Sequence, residues 1–146
     1  MAHRVDCPFC AIARGEDTTV EIVCEGPSWV AFFPTEPATP GHTLVISRLH
    51  VPDAWSLTAD LAGELMGAVV QVGNAIRAAV GPDGMNLISS SGIVAEQTVL
   101  HVHFHVVPRW RRDGIGRIWP PKKRMSEDLK EDLADSIREQ CLALRR

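Results

Sequence analysis

No stretch of this chain approaches the roughly 18 uninterrupted apolar residues that a membrane-crossing helix needs. The opening residues, MAHRVDCPFC, also lack the apolar run of a secretory leader. Both absences point to a cytoplasmic protein. Surplus positive charge is missing too. Fifteen Lys and Arg against 18 Asp and Glu leave a formal net charge of −3, so no general field draws the surface toward nucleic acid or an anionic membrane. Any anionic ligand must be gripped locally. Cysteine is scarce, with four in 146 residues, and in a reducing compartment this argues against paired disulfides. Neither an internal repeat nor a long linker is visible.

What is present suits one globular domain large enough to bury a core. Hydrophobic residues make up 45% and charged residues 23%, ordinary values for a soluble protein. After a short segment around Ile12, residues 19–24 alternate and read as a strand, as do 29–33, 42–47, 85–90 and 100–107. Residues 34–41, with three prolines and a glycine, form a rigid loop. Leu57, Leu61, Leu65, Val69, Val72, Ile76 and Val80 recur at three- and four-residue steps and predict a long middle helix that Gly81 and Pro82 terminate. Ser126 opens a last helix to about Leu144, acidic in its first turn and ending in Arg145 and Arg146. Strands that follow one another without intervening helices predict an antiparallel sheet of about five strands with the helices on one side, an α+β fold. Cys24 and Cys141 read as packing residues, His42 as a structural hydrogen-bonding residue after its Pro-Gly turn, and His3 as part of the N-terminal arm.

The stretch LHVHFHVV concentrates half of the chain's six histidines. On a strand, alternate side chains share a face about 7 Å apart. His101, His103 and His105 would thus line one face while Val102, Phe104 and Val106 fill the core on the other. A metal held by all three is one reading, but alternate strand residues stand too far apart to close a tetrahedron alone. Phosphate chemistry is the other: neutral imidazole is a good nucleophile near pH 7, and neighbouring imidazoles can hold phosphate oxygens and stabilise developing charge. The pair Cys7-Pro8-Phe9-Cys10 leaves three readings open: a redox pair without the preceding strand such pairs favour, two unconnected thiols, or half of a tetrahedral zinc site.

His101-Val-His103-Phe-His105-Val-Val resembles the signature of the histidine triad family. Residues 7–16, 31–33, 40–50 and 97–101 fall in the order and spacing of its HINT-like branch. The likeness covers about 6–121, leaving about 122–146 as a helical extension of a single domain spanning 1–146. The resemblance implies a homodimer that cleaves at the α-phosphate of a purine nucleotide conjugate through a nucleotidyl-histidine. His103 would be the nucleophile and His105 the group stabilising the phosphate. Gln97 and Thr98 would sit near the phosphate or leaving group. Phe9, Ile12, Ile22 and Phe32 or Phe33 would form the apolar base pocket. It also implies a structural zinc on Cys7, Cys10, His50 and His101. Two positions depart from the family pattern. Pro34 stands where relatives carry a ribose-binding Asp, and Ser90 where they carry an Asn near the phosphate. These departures motivate an alternative: a zinc-stabilised regulatory module that binds nucleotides with little turnover.

Overall fold

The computed structural model describes residues 6–145, so His3 and Arg146 fall outside it. The chain divides into two compact units, Met1–Ile115 and Gly116–Arg146. The first begins with helix α1 (Pro8–Ala13) and continues through β1 (Ile22–Glu25), β2 (Trp29–Phe32), β3 (Thr43–Ser47), helix α2 (Ala59–Val80), β4 (Gly84–Ile88) and β5 (His103–Arg109). The five strands form one sheet in the order β1-β2-β3-β5-β4, and every neighbouring pair is antiparallel. The architecture is α+β, as the alternating segments predict.

Period-two alternation splits the sheet into two faces with separate cores. Trp29, Ala31, Val45, Phe104 and Val106 pack with Leu65, Ala68, Val69, Val72 and Ile76 of α2 on one face. Val30, Phe32, Leu44 and Ile46 pack with Cys7, Phe9, Cys10 and Ile12 on the other. Within the first unit, α2 thus lies on one face, and the other face is covered as well. The short α1 covers the opposite face because Phe9, Cys10 and Ile12 offer it a compact apolar surface. α2 forms where the 3–4 spacing places it: the Thr58 hydroxyl accepts from the Leu61 N–H, and Gly81, left-handed at φ 55°, donates its N–H to the Arg77 carbonyl. Arg48 ties α1 to the sheet, donating to the Ala13 carbonyl at 2.7 Å and the Gly26 carbonyl at 2.9 Å.

β5 starts three residues later than its apolar run suggests. The Val102 N–H donates to the Val51 carbonyl and the His101 N–H to Val99, so these residues leave the ladder before the strand begins. Pro108 is accommodated inside β5 because the β3 ladder ends at Val106, leaving β4 as its partner at that level. In the second unit, α3 (Glu127–Ala143) is capped by the Ser126 hydroxyl, which accepts from the Leu129 N–H. Cys141 is exposed there and so is not the packing residue expected, whereas Cys24 packs against the α2 core.

Candidate active site and metal centre

The β3–β5 register places His103 opposite Ile46 and His105 opposite Leu44, on the α1 face of the sheet. A cavity of about 470 Å³ opens there. Phe9, Ile12, Phe32 and Leu44 give its apolar wall, and Ser90, Thr98, His103 and His105 lie along it. Phe9 meets the His103 ring edge-on at 5.2 Å and Phe32 at 5.6 Å.

Hydrogen bonding fixes which nitrogen of each ring carries the proton. His103 Nδ1 lies 2.7 Å from the His101 carbonyl, which can only accept, so Nδ1 bears the hydrogen. In the neutral ring Nε2 then holds a lone pair. Burial lowers the His103 pKa, and the carbonyl bond opposes that only in part, so the neutral form prevails at pH 7. His105 is set the other way. The Ala38 N–H donates to His42 Nδ1 at 3.0 Å, so the His42 proton sits on Nε2, which is 2.9 Å from His105 Nδ1. His105 Nδ1 accepts, leaving its own hydrogen on Nε2. Burial, then the proximity of His103 and His42, push the His105 pKa down to about 4. Adjacent rings 5.0 Å apart thus present opposite functions: a lone pair on His103 and a donor on His105. His42, read from the sequence as structural, is the residue that orients His105.

The other predicted positions divide. Phe9, Ile12, Phe32, Ser90, Thr98, His103 and His105 all border the cavity, but Ile22, Phe33 and Gln97 do not. Strand parity turns Phe33 away from Phe32, into a separate apolar groove with Val23 and Val80. Ile22 is 42% exposed beside an irregularity in the β1 ladder. Gln97 is buried and its amide is spent on the loop, accepting from the Gly92 N–H at 2.8 Å and donating to the Pro52 carbonyl at 2.7 Å. Residues missed from sequence include Asp17, Thr19 and Glu96 along the cavity, and Ser89, whose hydroxyl donates to the His103 carbonyl. No periodicity marks them, because turns bring them in. Pro34 borders the cavity and has neither a carboxylate nor an N–H to offer.

His101 belongs to a different cluster. Its Nδ1 is 3.4 Å from Cys7 Sγ and 3.6 Å from Cys10 Sγ, and His50 Nδ1 is 3.3 Å from Cys10 Sγ. The four candidate donor atoms lie within 4.8 Å of one another. His101 Nε2 donates to the Ser47 carbonyl at 2.8 Å, which turns the Nδ1 lone pair toward the thiols. Two sulfurs, two imidazole nitrogens and an outer-shell carbonyl that fixes the tautomer are the donor set of a closed tetrahedral zinc site. The cluster is positioned to bind a metal.

Comparison with known proteins identifies the family. The HIT domain family model matches residues 16–112. The protein named "Protein hit" from Bacillus subtilis is 35% identical over 130 residues, 88% of this chain and 87% of its own length. An adenosine 5'-monophosphoramidase from Schizosaccharomyces pombe is 30% identical, covering 92% of this chain and 100% of its own. An adenylylsulfatase from Arabidopsis thaliana is 31% identical over 94% of this chain and 68% of its own. Among solved structures, a Streptococcus mutans protein superposes with a TM-score of 0.89 at 32% identity, covering 95% of this chain and 87% of that one. A zinc-bound histidine triad family protein from Mycobacterium smegmatis gives 0.68 at 27%, covering 95% and 97%. The chain belongs to the HIT family.

Proposed function

We propose that this protein hydrolyses nucleoside monophosphate conjugates at the α-phosphate, taking a purine phosphoramidate, acyl nucleotide or dinucleoside polyphosphate. Named relatives act as a monophosphoramidase and an adenylylsulfatase, which supports a nucleotide hydrolase. One observation carries the mechanism: the opposed tautomers of His103 and His105 at one cavity. His103 Nε2 attacks phosphorus. A P–N bond forms as the bond to the leaving group breaks, and the leaving group departs with the electron pair, an amine taking up a proton from solvent water. The His105 Nε2–H donates to the phosphoryl oxygen on which charge accumulates. Water then attacks phosphorus and breaks the P–N bond, which frees the nucleoside monophosphate and returns the electron pair to His103. Thr98 and Ser90 offer hydroxyls to the phosphate, while Phe9, Ile12 and Phe32 flank the base. Gln97 acts through the loop it pins.

Cys7, Cys10, His50 and His101 would hold zinc. With four protein ligands the ion would lack an open coordination position, so what it supplies is cross-linking of the N-terminal arm to β3 and β5. A homodimer suits the exposed Met66 and Val70 of α2 and Leu87 of edge strand β4. A single domain spanning 1–146, with a core of about 6–121 and a helical extension, and a cytoplasmic setting belong to the same proposal. Separately, among the described residues no helix is long and apolar enough to cross a membrane. Replacing His103 by Ala tests the mechanism, because turnover of an adenosine phosphoramidate should vanish while nucleotide binding persists; wild-type rates in that variant overturn it. The second reading, a zinc-stabilised nucleotide-binding module with little turnover, draws on Pro34 and Ser90 in the cavity wall. It predicts that AMP binds while the conjugates survive prolonged incubation.

A further inference from the structure

We infer that Glu96 determines leaving-group specificity at this cavity, discriminating against substrates whose leaving group is anionic; this rests on the phosphoryl-transfer reading above. Glu96 ends the short 3₁₀ turn Ile93–Ala95 in the left-handed region, at φ 66° and ψ 26°. That conformation is costly for a residue with a Cβ, and glycine would adopt it freely. The backbone is held there from both sides. The Glu96 N–H donates to the Ile93 carbonyl at 2.9 Å, and the next residue, Gln97, is buried and bonded through its amide to Gly92 and Pro52. The direction in which the Glu96 side chain leaves the main chain is therefore imposed, and Glu96, an exposed residue, is among those that line the reaction cavity.

The charges around the cavity give this placement its consequence. Among the described residues that line it, the acids are Asp17 and Glu96, and there is no Lys or Arg. His103 and His105 are held neutral by burial. The two acids differ in their surroundings. Asp17 accepts from the Thr19 N–H at 2.9 Å and hydroxyl at 2.6 Å, in the turn between α1 and β1. Glu96 comes from the same segment as Ser90 and Thr98, a polar part of the lining that is separate from Asp17, Thr19 and Thr35, whereas Phe9, Ile12, Phe32 and Leu44 of the apolar wall come from α1, β2 and β3. A substrate that puts its base on the apolar wall and its phosphorus at His103 directs its leaving group toward the polar segment. A sulfate or second phosphate there meets the Glu96 carboxylate with no Lys or Arg among the described lining residues to compensate it. An amine meets an acceptor. For a pair of unit charges, a separation of about 7 Å at an effective dielectric of about 35, between bulk water and the protein surface, corresponds to about tenfold in binding.

Steady-state kcat/KM for three adenosine substrates tests this: a phosphoramidate of a neutral amine, one whose amine carries a second, cationic ammonium, and adenylyl sulfate. The wild type should rank them cationic, neutral, anionic. E96Q keeps the side-chain shape and removes the charge. It should raise kcat/KM for adenylyl sulfate relative to the neutral substrate by about tenfold and lower that for the cationic one. Salt at about 0.5 M should narrow the wild-type ranking and leave that of E96Q unchanged, a response that a merely structural role for Glu96 does not produce. A sulfate-to-neutral ratio that moves by less than about twofold in E96Q overturns the assignment. If the wild type turns over none of the three, the hydrolase reading is what fails. Glu96 is then judged by calorimetric titration of AMP and ADP: E96Q should narrow the affinity gap between them, and an unchanged gap overturns the inference.

Discussion

His101 and His105 stand four residues apart in the chain and serve opposite ends of the molecule's chemistry. His101 is fully buried, donates through Nε2 to a backbone carbonyl, and turns Nδ1 to two cysteine sulfurs. His105 is half-buried, accepts at Nδ1 from another histidine, and keeps its hydrogen for the cavity. His103 lies between them with its Nδ1 hydrogen on the His101 carbonyl. The residue type is constant and the partner changes. A carbonyl forces a hydrogen onto the nitrogen facing it, while a backbone N–H, relayed through His42, strips the hydrogen from the near nitrogen and leaves it on the far one. One repeat of imidazoles thus presents a lone pair to two thiols, a lone pair at the cavity and a hydrogen-bond donor, set by backbone groups and, for His105, by the His42 ring between.

The sharpest way to break this contrast is to remove the proposed nucleophile. His103→Ala should lower kcat for an adenosine phosphoramidate by at least about 10³-fold and leave the melting temperature and any zinc content near wild type. Should zinc be lost as well, the two ends are not independent. At the other end, Cys10→Ser removes a donor close to both His50 and His101. Zinc counted by native mass spectrometry should vanish, and Tm should fall by roughly 10 °C, the loss of a few kcal/mol of metal-linked folding energy. Residual turnover at low temperature should survive. A metal-free variant with wild-type Tm would remove the structural role from the cluster.

A subtler change tests the relay. His42→Phe keeps a ring and deletes the donor to His105 Nδ1, so His105 no longer has one enforced tautomer. We expect kcat to fall by about 10²-fold, the scale of losing one oxyanion donor, with KM little changed because His42 does not line the cavity. A variant that loses affinity rather than rate would overturn the relay and leave His42 only the structural hydrogen-bonding residue read from the sequence.

These residues also mark how far the sequence could be read. The sheet, α2 and the cap of α3 were legible because period-two and 3–4 patterns are local. The choice between Phe32 and Phe33 stayed open in the sequence: parity forbids adjacent strand residues from sharing a face, but only the folded structure puts Phe32 at the cavity and Phe33 in the other groove. The bulged end of β1 that leaves Ile22 exposed has no such signature. The roles of Gln97 and His42 depend on groups brought in by tertiary folding: the Pro52 carbonyl, 45 positions from Gln97, and His105, 63 positions from His42. The grouping of Cys7, Cys10, His50 and His101 came from family likeness. Its spacing alone leaves the redox and free-thiol readings standing, and the folded geometry draws the four together.

The smallest effect expected concerns stability against pH. A histidine kept neutral by burial binds no proton in the folded state until pH nears its lowered pKa, whereas the unfolded chain binds one from about 6.5 downward. Between those values the unfolded state holds more protons, so stability falls as pH falls. For His105 the window runs from about 6.5 to about 4. Below it both states are protonated and the loss is complete. His105→Gln removes this group while retaining a polar side chain. Its Tm should therefore decline less steeply than that of the wild type between pH 6.5 and 4, with the two curves running parallel above pH 7. Loss of metal at low pH affects both proteins alike, so the difference in slope isolates His105. Parallel curves throughout would mean that His105 is as freely solvated as a surface imidazole, and the asymmetry between the two ends of the triad would then reduce to His101 alone.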